Sequence, residues 1–135
     1  MPRVTGERLT GAIAGVAFAG VLLSGWLVVS ELVREPTCPL LFGVPACFFV
    51  FAGYVAVIVG AWMSRPAGAV LFFAGAGAVT LIAVYLSFRQ VVGTIECPSF
   101  EGLPMCYVSL FAAVTVLILE QVRRRLPDAS DTPGR

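Results

Sequence analysis

Histidine and lysine are absent from the 135 residues, and charged side chains of either sign make up only 13% of the chain. Without histidine there is no His-based nucleophile activation and no His-ligated zinc or haem. Without lysine there is no Schiff-base chemistry and no lysine at a phosphate site. An average soluble domain carries about 25% charged residues. With half that share, 59% hydrophobic residues and a mean hydropathy of +0.93, the chain lacks the polar surface to cover a water-soluble core. A formal net charge of +1 leaves no electrostatic footprint for nucleic acid. The length allows one domain.

What the chain does have is apolar length. Residues 9–30, 36–64, 66–88 and 102–119 are long, predominantly apolar stretches, in which Glu31, Arg34 and Glu35 fall between the first two and Arg65 between the next two. Crossing about 30 Å of hydrocarbon takes about 20 helical residues. Trimming polar and proline-containing ends predicts helices near 10–32, 45–63, 67–88 and 104–122. Backbone groups in lipid must be satisfied within the segment, so these runs read as helices. The first run exceeds the 7–15 residues of a signal-peptide core, and no A-x-A site follows Ser30, so it reads as a retained helix. The expected fold is all-α: an integral membrane four-helix bundle over residues 1–126, followed by a polar, disordered tail at 127–135.

Arginine placement sets the expected orientation. Arg3, Arg8, Arg65, Arg123, Arg124, Arg125 and Arg135 fall on one side of such a bundle, and only Arg34 and Arg89 on the other, beside Glu31, Glu35, Glu96 and Glu101. By the positive-inside rule both termini are cytoplasmic and the two longer loops, near 33–44 and 89–103, are extracytoplasmic.

Those two loops repeat one another. The pattern C-P-x3-G-[VL]-P-x-C-[FY] runs from Cys38 to Phe48 and again from Cys97 to Tyr107, at a constant offset of 59 residues. Trp26 and Tyr85 fall at the same offset. The expected architecture is therefore two tandem, parallel hairpin repeats, about 10–63 and 67–122. Pro39 and Pro98 hold the preceding cysteine out of helix. Gly43 and Gly102 permit a reversal, and Pro45 and Pro104 suit the first helical position. Cys47 and Cys106 then lie in a first helical turn, where thiolate is favoured. Four cysteines on one extracytoplasmic side argue for disulfides. Pairing within each loop, Cys38–Cys47 and Cys97–Cys106, would stabilise by about 2.5–3 kcal/mol per bond through loop closure. Pairing Cys47 with Cys106 would instead staple the hairpins together. Zinc is not expected, because the C-x8-C spacing does not suit it.

Small residues gather in the inner halves of the first and third runs: Gly11, Ala14, Gly15, Ala19 and Gly20, then residues 74–78. They suit close helix packing. Bulky residues, including Trp26, Phe48, Tyr85 and Tyr107, lie toward the outer side. A bundle pinched inside and wider outside would hold an aromatic-lined cleft for a lipophilic ligand such as a quinone. Trp26, Tyr54, Tyr85 and Tyr107 are the candidate ligand contacts, with an interfacial aromatic belt as the plainer role for Trp26, Tyr85 and Tyr107. Tyr54 lies seven residues below Cys47 on the same helical face, and its hydroxyl needs a partner: a ligand carbonyl, Thr80 or Ser87. Glu120 and Gln121, at the inner rim, are assigned no special role.

The stretch Gly43-Val44-Pro45-Ala46-Cys47, continuing to Gly53 and Tyr54, resembles the opening of the second helix in the vitamin K epoxide reductase and DsbB class of membrane thiol oxidoreductases. The resemblance implies a four-helix bundle that passes electrons from a thioredoxin-like protein, through cysteine pairs, to a quinone. Cys38 and Cys47 occupy the region of that class's shuttle cysteines, and Cys106 the start of its redox-active C-x-x-C. Ser109 stands where the second cysteine of that motif belongs, so Cys97 would serve from the loop. The alternative function is a non-enzymatic membrane subunit of a larger complex, with structural disulfides. A transporter ranks third, since the spans carry no ionisable residues to mark a pathway apart from Glu31 and Glu120 at opposite rims.

Overall fold

The computed structural model describes residues 6–34, 36, 38–63 and 66–126. The tail at 127–135, together with Arg3, Glu35, Arg65 and Arg135 of the charge count, lies outside the described residues. Four helices dominate: α1 (Gly6–Val33), α2 (Ala46–Trp62), α3 (Ala67–Val91) and α4 (Met105–Arg125). Two short antiparallel hairpins join the helix pairs at one end, β1 (Leu40–Leu41) with β2 (Val44–Pro45), and β3 (Ser99–Phe100) with β4 (Leu103–Pro104). The fold is all-α apart from these two-residue strands. The helices pack in a ring, α1 on α2, α2 on α3, α3 on α4 and α4 back on α1.

Helices α2, α3 and α4 each begin directly after a proline, Pro45, Pro66 and Pro104. Pro45 and Pro104, expected as the first helical residues, are instead the N-caps of α2 and α4, which begin one position later at Ala46 and Met105. A cap proline forfeits no helical hydrogen bond, since the first N–H groups of a helix have no intrahelical partner. Helices α1, α3 and α4, with 28, 25 and 21 residues, are long and apolar enough to cross a membrane. Helix α2 has 17 residues, about 25 Å at 1.5 Å per residue.

The helices are apolar outside as well as inside. One core runs through all four, with Ile13, Ala17, Tyr54, Phe72, Val79 and Val116 at its centre. Facing outward are Phe18, Leu22, Val70, Leu81, Phe111 and Ile118, each more than half exposed. A helix that is apolar all round belongs in a core or in lipid, and the outer surface of these helices suits contact with a bilayer.

The closest packing is between α2 and α3, and glycine makes it possible. A Cβ on Gly60 would lie 2.6 Å from the Phe72 amide nitrogen and 2.7 Å from the Gly68 carbonyl oxygen. One on Gly75 would lie 2.6 Å from the Gly53 carbonyl oxygen. The contacts are backbone on backbone, so no side chain can swing aside. The small residues of α1 behave differently: Gly11 and Gly15 meet nothing within 4 Å, whereas Gly20 lies under the Tyr54 ring at 2.8 Å from an added Cβ. Gly60→Ala is expected to destabilise the detergent-solubilised protein by about 1–3 kcal/mol, the usual cost of overpacking. Gly11→Ala should leave the unfolding midpoint unchanged or slightly raised in the same denaturant titration.

Candidate functional site

Sulfur, aromatic and hydroxyl groups converge at the hairpin end of the bundle. Cys38 is paired with Cys47 across a Cα separation of 6.3 Å, and Cys97 with Cys106 across 6.6 Å. Each bond is therefore contained in its own loop, and Cys47 and Cys106 are not joined to each other. The same local geometry builds both loops. Leu41 opposes Val44 and Phe100 opposes Leu103, leaving a two-residue turn at each tip. Phe42 and Gly43 have φ of 53° and 83°, and Glu101 and Gly102 have φ of 49° and 84°. Positive φ at both central residues is the signature of a type I′ turn, the turn whose twist matches a hairpin. The turns place a non-glycine residue in the left-handed region, which for a bulky phenylalanine is unusual. The Ala46 amide donates to the Pro39 carbonyl at 2.9 Å, and the Met105 amide to the Pro98 carbonyl at 3.1 Å. These bonds lock hairpin to helix start and set Cys47 and Cys106 in the first turns of α2 and α4.

The loops differ in one tether. The Cys38 amide donates to Glu31 Oε2 at 3.1 Å, fastening the first loop to the end of α1. Gln90 stands 59 residues after Glu31, and its Oε1 is buried with no hydrogen-bond partner among the described residues. All four cysteines are buried, with exposures of 6% to 9%.

Beneath the sulfurs is an apolar cavity of about 220 Å³. Cys47 and Cys106 both line it, and so does Tyr54, two turns further along α2. Most of the remaining wall comes from α1 and α4, including the hydroxyl-bearing Ser24 and Ser109. Ser24 Oγ donates to the Gly20 carbonyl at 2.6 Å. Tyr54 is 2% exposed, and its hydroxyl donates to the Ser109 carbonyl at 3.1 Å. The partner of Tyr54 is thus neither Thr80 nor Ser87. Thr80 Oγ1 donates to Ala76 of its own helix, and Ser87 Oγ is buried without a hydrogen bond among the described residues. A helix backbone carbonyl such as that of Ser109 is a partner that residue type alone does not reveal.

The other aromatic candidates stand apart from this cavity. Trp26, Tyr85 and Tyr107 are 68%, 45% and 42% exposed and are absent from its lining. The Tyr85 hydroxyl accepts from Arg89 Nη1 at 2.9 Å, and Arg89 Nε donates to Thr94 Oγ1 at 2.7 Å. The cavity is walled by aliphatic side chains with one tyrosine, not by an aromatic cage.

The opposite end of the bundle holds a group to which sequence reasoning gave no role. Glu120 is 1% exposed and pairs with Arg123 at 2.8 Å and Arg124 at 2.9 Å. The signal was present as an acid followed by bases three and four residues later on one helix.

Four helices, two disulfides and one shared apolar cavity fit a membrane protein with disulfides. Among the described residues no group of His, Cys, Asp and Glu could hold a metal. Comparison with known proteins finds no matching family model, no matching curated protein and no matching solved structure. Tyr54→Phe keeps the ring over Gly20 but deletes the bond to Ser109. It is expected to lower stability by about 0.5–1.5 kcal/mol, read by thermal unfolding in detergent, with helicity unchanged.

Proposed function

We propose that the chain is a four-span membrane protein made of two tandem hairpins, resembling the vitamin K epoxide reductase and DsbB class, that exchanges disulfides at its extracytoplasmic face. The observation that carries the reading is that Cys47 and Cys106, one from each disulfide, line a single apolar cavity. The halves share hairpin register, turn conformation and helix-start hydrogen bonds at an offset of 59 residues, which supports their origin as a repeat. Arg123 Nη1 donates to Thr10 Oγ1 at 3.2 Å, so the start of α1 and the end of α4 meet at the arginine-rich end, in keeping with cytoplasmic termini.

In this reading a thioredoxin-like dithiol attacks the Cys38–Cys47 bond through its thiolate. A mixed disulfide forms, the partner's second thiolate displaces it, and the partner leaves oxidised while Cys38 and Cys47 become thiols. The same exchange passes the two electrons to Cys97–Cys106. Re-forming that bond releases two electrons and two protons, and a quinone is the acceptor class that takes both. The cavity fits such a group: it exceeds the about 150 Å³ apolar cavity that holds a benzene ring, and a carbonyl there would accept from the Ser109 hydroxyl, or from the Ser24 or Tyr54 hydroxyl once turned from its present carbonyl partner. Cys106, at the start of α4, is the thiol nearest the acceptor in this scheme, and Cys97 its partner from the loop.

A second reading has its own support. The sulfurs are buried, while the hairpin tips carry exposed apolar side chains, among them Leu40, Phe42, Phe100 and Leu103, with Phe42 at 96%. A membrane subunit with structural disulfides would present such tips to a larger complex.

Purified protein supplied with a quinone is expected to oxidise a reduced thioredoxin-like protein, and Cys106→Ala to bring the rate to background. Graded reduction followed by mass spectrometry should give a potential above about −300 mV for at least one bond. Bonds that survive below that potential, together with no oxidation, would overturn the exchange reading in favour of the structural one. Impermeant thiol reagents should label the reduced cysteines from outside the cell only; labelling from the cytosol would overturn the orientation.

A further inference from the structure

At the inner end of the bundle a second, polar cavity of about 270 Å³ opens between the end of α2, the first turns of α3 and the end of α4. Its wall includes Gly60 and Met63 from the end of α2, Ala69 from the first turns of α3, and Glu120, Arg123 and Arg124 from α4. From this cavity we infer a binding site for the phosphate of an anionic phospholipid headgroup, held by the Arg123–Arg124 pair. The inference rests on the membrane placement proposed above but not on the disulfide chemistry.

Four observations converge on it. First, the cavity holds two guanidinium groups against one carboxylate, so it carries an excess positive charge that an anion would neutralise. Second, the arginines are held in place before any ligand arrives. Glu120 Oε1 accepts from Arg123 Nη2 at 3.0 Å and from Arg124 Nε at 2.9 Å, Arg123 is also tied to Thr10, and the Arg124 guanidinium lies over the Phe73 ring at 4.7 Å. Third, the bond to Glu120 engages Arg124 through Nε and its side chain is 38% exposed, so its terminal nitrogens remain uncommitted in that bond, and a guanidinium presents such nitrogens as a planar fork that matches phosphate oxygens. Fourth, Trp62, the last residue of α2, is 75% exposed beside the cavity's α2 wall. Exposed tryptophan at a helix end marks headgroup depth.

The burial of Glu120 also gains a reason. A buried ion pair contributes little net stability, because desolvation offsets the attraction. A carboxylate that orients two arginines toward a headgroup has a positioning role that stability alone does not supply. Basic pockets between helices on the cytoplasmic side are where anionic headgroups bind.

The test compares lipids and compares arginines. Native mass spectrometry of the protein released from vesicles of phosphatidylglycerol mixed with phosphatidylcholine should show bound phosphatidylglycerol in preference. Arg124→Gln is expected to reduce that preference about fivefold, the weight of one basic side chain at an anionic surface. Arg125→Gln, which makes the same charge change outside the cavity wall, should leave it within error. Ala69→Phe, which fills the cavity at constant charge, should also abolish the preference and guards against a folding artefact at Arg124. Intact disulfides and unchanged thiol oxidation in these variants keep the outcome separate from the exchange reading. Equal losses for Arg124→Gln and Arg125→Gln would mean a diffuse basic surface and overturn the site. Displacement of phosphatidylglycerol by millimolar inorganic phosphate would reassign it to a soluble anion.

Discussion

The backbone contact between α2 and α3 sets the shape of the rest. At Gly60 and Gly75 the two helices touch main chain to main chain, closer than any side chain would permit. In lipid, where the hydrophobic effect does not drive helix against helix, such contact is what packing has to offer. Drawing α2 and α3 together on one side of the ring leaves the opposite side, between α1 and α4, to be filled by side chains. Away from the hairpins Ile13, Ala17, Ala113 and Val116 fill it and Arg123 bonds to Thr10. Toward the hairpins it is not filled, and the apolar cavity opens there, walled largely by α1 and α4. The site is thus a consequence of unequal packing around a ring of four helices.

The disulfides work on the same end by a different route. A ten-residue loop that begins and ends with cysteine and reverses through a two-residue turn has little freedom left, and closing it contributes about 2.5–3 kcal/mol on entropic grounds. Its prolines remove hydrogen-bond donors, its tip glycine takes a positive φ, and the bond back to Pro39 or Pro98 fixes where the following helix begins. Sulfur position is therefore determined by backbone chemistry within each loop. The cavity beneath needs no further device to bring Cys47 and Cys106 to its rim, since each begins a helix that forms its wall.

Sequence periodicity carried some of this and not the rest. The helices were legible because charge-free runs of 18 residues or more admit few alternatives, and the observed ends of α2, α3 and α4 fall within three residues of the expected ones. The loops were legible from spacing, down to the turn glycines, although two-residue strands are too short to leave an alternating pattern. Which side of each helix faces inward was not legible. When both faces are apolar, amphipathicity says nothing, so Gly11 and Gly15 look as well suited to packing as Gly60 and Gly75, yet only the second pair meets a neighbour. For the same reason Tyr54 could be placed on the face of Cys47, while Trp26, Tyr85 and Tyr107 could not be separated from it. Glu120 was hidden by its position near a helix end, where a charge ordinarily meets water.

Matching positions in the two halves argue for one polar wall in the cavity. At the offset of 59 residues, Tyr54 corresponds to Ala113, Ser24 to Ala83 and Glu31 to Gln90. Ala113 is a core residue at 1% exposure, and Ala83 joins the cavity lining with no polar group to offer. Matching helix positions therefore carry unlike side chains, and of these Tyr54, Ser24 and Ala83 line the cavity. The first half contributes the buried phenol and a serine, and the second contributes Ser109, whose carbonyl accepts the phenol's hydrogen bond. Pinning loops requires no such difference, since both loops are pinned alike. A ligand with a polar end and an apolar end does require it, because a symmetric cavity would offer it two equivalent poses. The two halves share their geometry in the loops that hold the sulfurs and differ in sequence along most of their helices, so the polar groups at the cavity come from unlike positions.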